Sequence, residues 1–263
     1  MSEQLTIQHE SISTSLIHSS LERNFYTNFP LLLAISESTQ PLKIEMTGSR
    51  VGMRIWVDED ELFFPPIMDA GMPKKVKKVW VSQRRAPWGW KNELYDVNFI
   101  YDIKTTLSIK NFRKNLKRFE KAHPNAEYNT TRHEYEEGLQ SVIKWYEKSK
   151  RKEFTDFGYT QWLVENYHLF KNLYPRVVTC DGKELAFSLW GELEEGLAVH
   201  LICKDVGLPY LQDWTRYKTY DEMRNCGFKM VNDGGDCNIH GIRRYKEKLR
   251  PRFIIPLYSW LRN

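Results

Sequence analysis

The feature that most restricts the fold is the order of elements from Tyr174 to the end of the chain. Arg176 to Thr179 reads as a strand, Cys180-Asp181-Gly182-Lys183 carries the Asp-Gly pair that closes a tight hairpin, and Leu185 to Leu193 returns. Glu194-Glu195-Gly196 turns the chain into a third strand, Leu197 to Cys203. A helix follows from Leu211 to Asn225, with Gly227 placed to end it. Phe228 to Asn232 reads as a short strand and Asp233-Gly234-Gly235-Asp236 as irregular. Ile239 to Leu249 is a helix stopped by Pro251, and Phe253 to Trp260 a last strand. An antiparallel meander followed by helix, strand, helix and strand predicts an α+β fold with a mixed sheet and flanking helices.

The first part is less regular. Its first twelve residues are polar and read as loose, and residues 14–35, with Leu16, Leu21, Phe25 and Phe29, read as two short helices divided by Pro30. Leu42 to Met46 and Val51 to Val57 are strands joined by the turn Thr47-Gly48-Ser49-Arg50. Glu61 to Phe64, Val76 to Val81 and Tyr95 to Tyr101 are further strands, and Gln83 to Glu93 is a loop holding Trp88 and Trp90. From Ser108 to His123, Ile109, Phe112, Leu116 and Phe119 recur at steps of three and four and form one helical stripe among lysines and arginines. Glu134 to Lys150 and Thr160 to Asn172 read as two more helices.

Charge and cysteine usage narrow the function class. With 39 Lys and Arg against 34 Asp and Glu, the net charge of +5 permits an anionic partner without demanding one. No apolar run approaches the ~18 residues needed to cross a bilayer, and the N-terminus has no signal-peptide pattern. Cys180, Cys203, Cys226 and Cys237 follow no metal-binding spacing and read as reduced thiols. The expectation is a cytoplasmic protein with no metal site and no membrane span.

Two local patterns carry a family resemblance. One is Phe112-Arg113-Lys114-Asn115-Leu116-Lys117-Arg118-Phe119; the other is Val231-Asn232-Asp233-Gly234-Gly235 followed by Gly241-Ile242-Arg243-Arg244-Tyr245-Lys246. Together they resemble the soluble C-terminal domain of phosphatidylglycerol lysyltransferase and Fem-type aminoacyl transferases, built on the GNAT acyltransferase fold. The resemblance implies tandem GNAT-like halves, divided here as 1–125 and 126–263, with splayed central strands and the cleft in the second half. It implies an acyl- or aminoacyl-transferase moving the group from aminoacyl-tRNA or acyl-CoA to an amine or hydroxyl by direct attack. Backbone amides within Leu197–Cys203 would hold the oxyanion. A CoA-binding glycine-rich turn is missing: the corresponding segment, Lys204 to Tyr210, has one glycine, and Pro209 removes a donor. No cofactor is firmly implied.

For catalysis the candidates are Asp233 and Asp236, as base or acceptor-recognition groups at the mouth of the splayed strands, with His240 and His200 as rival bases. A plain turn with solvated aspartates accounts for the same residues. Arg243, Arg244, Lys246, Arg113 and Lys114 are candidates for holding a phosphate-bearing donor such as tRNA, against the reading of a solvated basic face. Trp88, Trp90 and Trp214 are candidates for stacking on an acceptor or base, against packing on the core. Two other functions remain open, a transferase modifying DNA or RNA bases and a nucleic-acid-binding module without catalysis.

Overall fold

The computed structural model describes residues 2–18, 24–47, 52–68, 70–130, 139–148 and 156–262. In chain order the elements are β1 (Glu3–Gln4), α1 (Glu10–His18), α2 (Phe29–Ser38), β2 (Lys43–Thr47), β3 (Gly52–Asp58), β4 (Glu61–Leu62), β5 (Ile67–Met68), β6 (Lys78–Ser82) and β7 (Trp90–Asp102). They continue as α3 (Ile103–Leu107), α4 (Lys110–Ala122), β8 (Ala126–Thr130), α5 (Leu139–Lys148), α6 (Phe157–Asn166), β9 (Leu173–Cys180), β10 (Lys183–Glu194) and β11 (Leu197–Asp205). Last come α7 (Leu211–Asn225), β12 (Met230–Asn232), α8 (His240–Lys248) and β13 (Phe253–Arg262).

The chain forms two compact units. The first holds Met1–Asn98, Gly235–His240 and Ile254–Asn263; the second holds Phe99–Gly234 and Gly241–Phe253. The sequence places a division at 125/126 instead. Helix α4 lies with the second unit because its apolar stripe packs on α7: the Phe112 ring is 5.5 Å from Tyr217 and the Phe119 ring 5.2 Å from Trp214. Burying each such ring contributes about 1.5–3 kcal/mol, enough to fix where the helix belongs.

In the first unit, β1 to β4 pair antiparallel in sequence order, β4 pairs β6 in parallel, and β6 pairs β13 antiparallel. Trp56, Leu62, Val76, Val79 and Trp260 form one of its apolar clusters. Residues expected to be loose form β1 and the start of α1. Pro30 does not separate two helices; it sits in the first turn of α2, where the amide it lacks has no helical partner to lose. The expected turn at 48–50, the helical stretch 134–138 and Leu21 lie outside the described residues.

In the second unit the strand order is β7, β12, β11, β10, β9, β8. The Asp181-Gly182 hairpin forms as expected, with both residues at positive φ (51° and 73°), the primed turn that suits strand twist. Strand β8 pairs with β9 and is absent from the sequence reading, because Ala126–Thr130 is short and polar. The central parallel pair is short: Leu197, Ala198 and Val199 of β11 face Met230, Val231 and Asn232 of β12. β12 then ends, while β11 continues to Asp205 with β10 as its partner. One extra residue, Leu201, bulges from β11 just past the fork, since Leu189 pairs with Ile202 and Trp190 with His200. The two central strands therefore part at His200.

Candidate functional site

The fork in the second unit has a packed base and an open end. At the base, Asp233 follows β12 directly and is 5% exposed. Arg216 of α7 donates to both its oxygens, Nε to Oδ2 at 2.8 Å and a terminal nitrogen to Oδ1 at 3.2 Å. Tyr220 adds its hydroxyl to Oδ2 at 3.0 Å, and Lys246 of α8 donates to the Asp233 backbone carbonyl. Burial alone would raise the carboxyl's pKa; Arg216 and Lys246 reverse that and hold it well below the usual range. Burial raises Tyr220 far above its ordinary value.

His200 extends this network. Its Nε2 is 2.9 Å from Ser188 Oγ, which is 2.9 Å from Thr219 Oγ1. Thr219 donates its own hydrogen to the Thr215 carbonyl, so Ser188 donates to Thr219 and accepts from His200 Nε2–H. The other nitrogen, Nδ1, lies 3.2 Å from Asp233 Oδ1 but out of line for a hydrogen bond. A neutral Nε2–H imidazole accounts for both facts, and burial lowers the pKa of His200 accordingly. Ser188, His200 and Asp233 have the connectivity of a nucleophilic triad, yet they are 0%, 2% and 5% exposed and the serine hydrogen points to Thr219. They form a structural network that no substrate reaches.

The open end is a cavity of about 460 Å³ lined, among the described residues, by Asp205, Gly207, Leu208, Tyr210, Asp213, Tyr245, Trp145 and Gln212. It lies where β11 gives way to α7. The loop between them is poor in free amides: Val206 N–H donates to the Leu185 carbonyl, Gly207 N–H to Asp205 Oδ1 at 2.6 Å, and Leu211 N–H to the Leu208 carbonyl. Pro209 has none. Tyr210, just before α7, has φ 65°, a left-handed conformation that costs a non-glycine residue energy. Asp213 accepts from Tyr245 Oη at 2.7 Å and from Asn115 Nδ2 of α4 at 2.6 Å. Arg216 donates to the same Tyr245 hydroxyl at 3.3 Å, which ties the cavity wall to the packed base. Burial beside Cys203 pushes that thiol up to about 12, so it is inert as a nucleophile.

The residues singled out from sequence are scattered relative to this cavity. Tyr245, within the second motif, lines it, and Asn115, within the first, braces its wall. Lys246 is buried with its amine on the Asp233 carbonyl, and Arg244, Arg113 and Lys114 are exposed. Trp214 is 2% exposed and packs on Phe119, so its ring faces are covered. In the first unit, Asp236 is buried and accepts from the Asn238 amide at 2.9 Å, His240 is exposed, Trp90 packs on Trp260, and Trp88 is fully exposed. The paired glycines have structural causes. Gly234 has φ 65°, and a Cβ on Gly235 would overlap the Asp96 carboxylate. Asp205, Tyr210, Asp213 and Arg216 went unnoticed as site residues.

Neither a protein-family model nor a curated protein sequence matches the chain. Solved structures do. A protein of unknown function from Bacteroides thetaiotaomicron superposes with a TM-score of 0.84 at 13% identity, over 100% of this chain and 99% of that one. The C-terminal domain (DUF2156) of a candidate lysylphosphatidylglycerol synthetase from Agrobacterium fabrum gives 0.67 at 12% identity, over 98% and 93%. A tandem GNAT protein from the clavulanic acid biosynthesis pathway gives 0.51 at 9% identity, over 100% and 98%. At these identities the likeness concerns the fold. Among the described residues no helix is long and apolar enough to cross a membrane. The chain has the mixed α+β fold of tandem GNAT proteins, shared with the C-terminal domain of that lysylphosphatidylglycerol synthetase.

Proposed function

We propose that the chain transfers an acyl or aminoacyl group from an activated donor to an amine or hydroxyl, in the cavity at the open end of the β11–β12 fork. The observation that carries this reading is the cavity itself, a space of about 460 Å³ at the end of β11 and the start of α7, beyond the pairing of β11 with β12. The acceptor nitrogen or oxygen attacks the acyl carbon directly. The bond to the donor's leaving oxygen or sulfur breaks, and the acceptor's proton passes to that leaving atom. No covalent enzyme intermediate is needed, and the contribution of the protein is to hold two reactants in line. Asp233 is not the base in this reading: both its oxygens already accept from cationic or phenolic donors.

The loop's occupied amides favour a donor other than a CoA thioester, because a pyrophosphate needs several converging N–H groups. An aminoacyl-tRNA fits better. The exposed basic side chains Lys110, Arg113, Lys114, Lys117, Arg118 and Lys121 of α4 would receive its phosphates, and Arg118 reaches the rim of the cavity by donating to Tyr210 Oη at 3.4 Å. The test is mass gain on a panel of amine and hydroxyl acceptors, with aminoacyl-tRNA or acetyl-CoA as donor. Donor-dependent transfer from aminoacyl-tRNA that disappears in a folded Leu208→Trp variant, in which an indole fills the cavity, is the expected result. Undiminished transfer in that variant would place the reaction elsewhere.

A further inference from the structure

We propose that the loop joining β6 to β7 is a docking point for single-stranded nucleic acid, with Trp88 stacking on an unpaired base and Arg85 meeting a neighbouring phosphate. The inference goes beyond the transfer reading and uses none of its residues. The Trp88 side chain lies wholly in water. The other tryptophans of the first unit are all engaged. Trp56 and Trp80 donate their indole N–H groups to Glu45 at 2.8 Å and to Glu61 at 2.7 Å, with Lys75 and Lys78 over their rings. Trp90 and Trp260 pack on each other with ring centres 6.5 Å apart. Among the described residues, neither face of Trp88 meets a ring or a cation. An indole kept in water forfeits a large burial gain, and such rings recur where a partner covers them.

The loop holds Trp88 in a fixed place. Trp90 N–H donates back to the Pro87 carbonyl at 3.2 Å, and Gly89 has φ 85°, the positive angle that a type II turn places at its third residue. Ala86 N–H donates to Asn92 Oδ1 at 2.6 Å, and Trp260 Nε1 to the Arg84 carbonyl at 3.0 Å. A ring presented by a braced turn loses little freedom when a partner arrives. The charge of the loop says what that partner is. From Gln83 to Asn92 no residue is acidic, and Arg84, Arg85 and Lys91 are basic. Lys91 is matched by Glu93 at 2.8 Å; Arg85 is exposed and forms no ion pair among the described residues. The partner is therefore flat enough to stack and anionic close to its stacking surface. A nucleotide in a single strand has both properties, and a duplex keeps its base faces covered. A bilayer is held by broad apolar area, and Pro87 and Gly89 beside Trp88 supply little of it.

Fluorescence anisotropy of a labelled ~10-nucleotide oligouridylate, against a hairpin duplex with the same number of phosphates, tests this on the full chain. Phosphate contacts elsewhere on the protein draw both forms, so the difference between strand and duplex isolates the stacking. Trp88→Ala should lower single-strand affinity about tenfold, leave duplex affinity unchanged and keep the salt slope, since stacking releases no counterions. Trp88→Phe, which keeps a π face, should retain most of the affinity. Arg85→Gln should lower the slope of log affinity against log salt by about 0.7, the value of one single-strand phosphate. Both side chains are exposed, so each variant should keep the natural thermal transition. Unchanged single-strand affinity in Trp88→Ala, equal losses on strand and duplex, an unchanged slope in Arg85→Gln, or binding of neither form would overturn the inference. Trp88-dependent binding to phosphatidylglycerol vesicles without binding of the strand would assign the loop to a membrane and overturn it too. None of these outcomes bears on acyl transfer in the cavity.

Discussion

Asp233 and Asp213 belong to the same unit, and one hydrogen-bonded chain through Arg216 and Tyr245 joins them, yet they are built for opposite ends. Asp233 is surrounded by positive charge and phenol; among the described residues, Asp213 accepts from a phenol and an amide. A carboxylate whose charge is already matched holds structure and offers little to a ligand. One held by neutral donors at a cavity keeps its charge for whatever enters. The difference separates the packed base of the fork from its open end without reference to any relative.

The most forceful way to break this contrast is to remove the charge from the base. Asp233→Asn leaves the Arg216 guanidinium buried beside a neutral amide and should cost about 3–5 kcal/mol in denaturant unfolding. A loss under about 1 kcal/mol would mean that the network is not what closes the fork.

A second, smaller effect comes from His200. Its folded pKa lies below the ordinary 6.5, so the unfolded chain takes up the proton first as pH falls. The neutral imidazole's contribution is therefore complete above about pH 6.5 and is lost progressively below it, down to the folded pKa. Asp233, also lowered, adds a separate loss only once pH drops below the ordinary carboxylate value of 3.8. Stability measured from pH 8 to 4 should bend downward near 6.5 in the natural chain and lack that bend in His200→Gln. A bend of equal size in the variant would remove His200 from the account.

How far the sequence reaches follows the same physical divide. The Asp181-Gly182 hairpin, the Gly196 turn and the helix end at Gly227 were legible because each depends on a backbone angle that few residues adopt. The stripe of Phe112, Leu116 and Phe119 was legible because its period is local. The site was not. Arg216 and Asp213 sit in a polar helix whose charges look solvated, and only tertiary packing turns Arg216 inward to 4% exposure. Asp205 belongs to a segment whose lack of glycines is visible in the sequence, whereas its carboxylate taking up the Gly207 amide depends on the folded loop. Conversely, Asp233 stood out because glycines follow it, and those glycines answer to φ 65° and to the Asp96 carboxylate.

The smallest expected effect is the sharpest test of the comparison. Asp213→Asn keeps the shape of the side chain and removes its charge; its one amide oxygen can still accept from Tyr245 or from Asn115, and the hydrogen bond from the other neutral donor is the one lost. Its stability should therefore change by no more than about 1 kcal/mol, the net worth of one hydrogen bond, against the several lost at Asp233. If Asp213→Asn instead unfolded at a denaturant concentration as low as Asp233→Asn, both carboxylates would be structural, and the contrast between base and cavity would fail. If it stayed folded and lost turnover, the fork would divide as its charges do, with structure at Asp233 and the transfer site at Asp213.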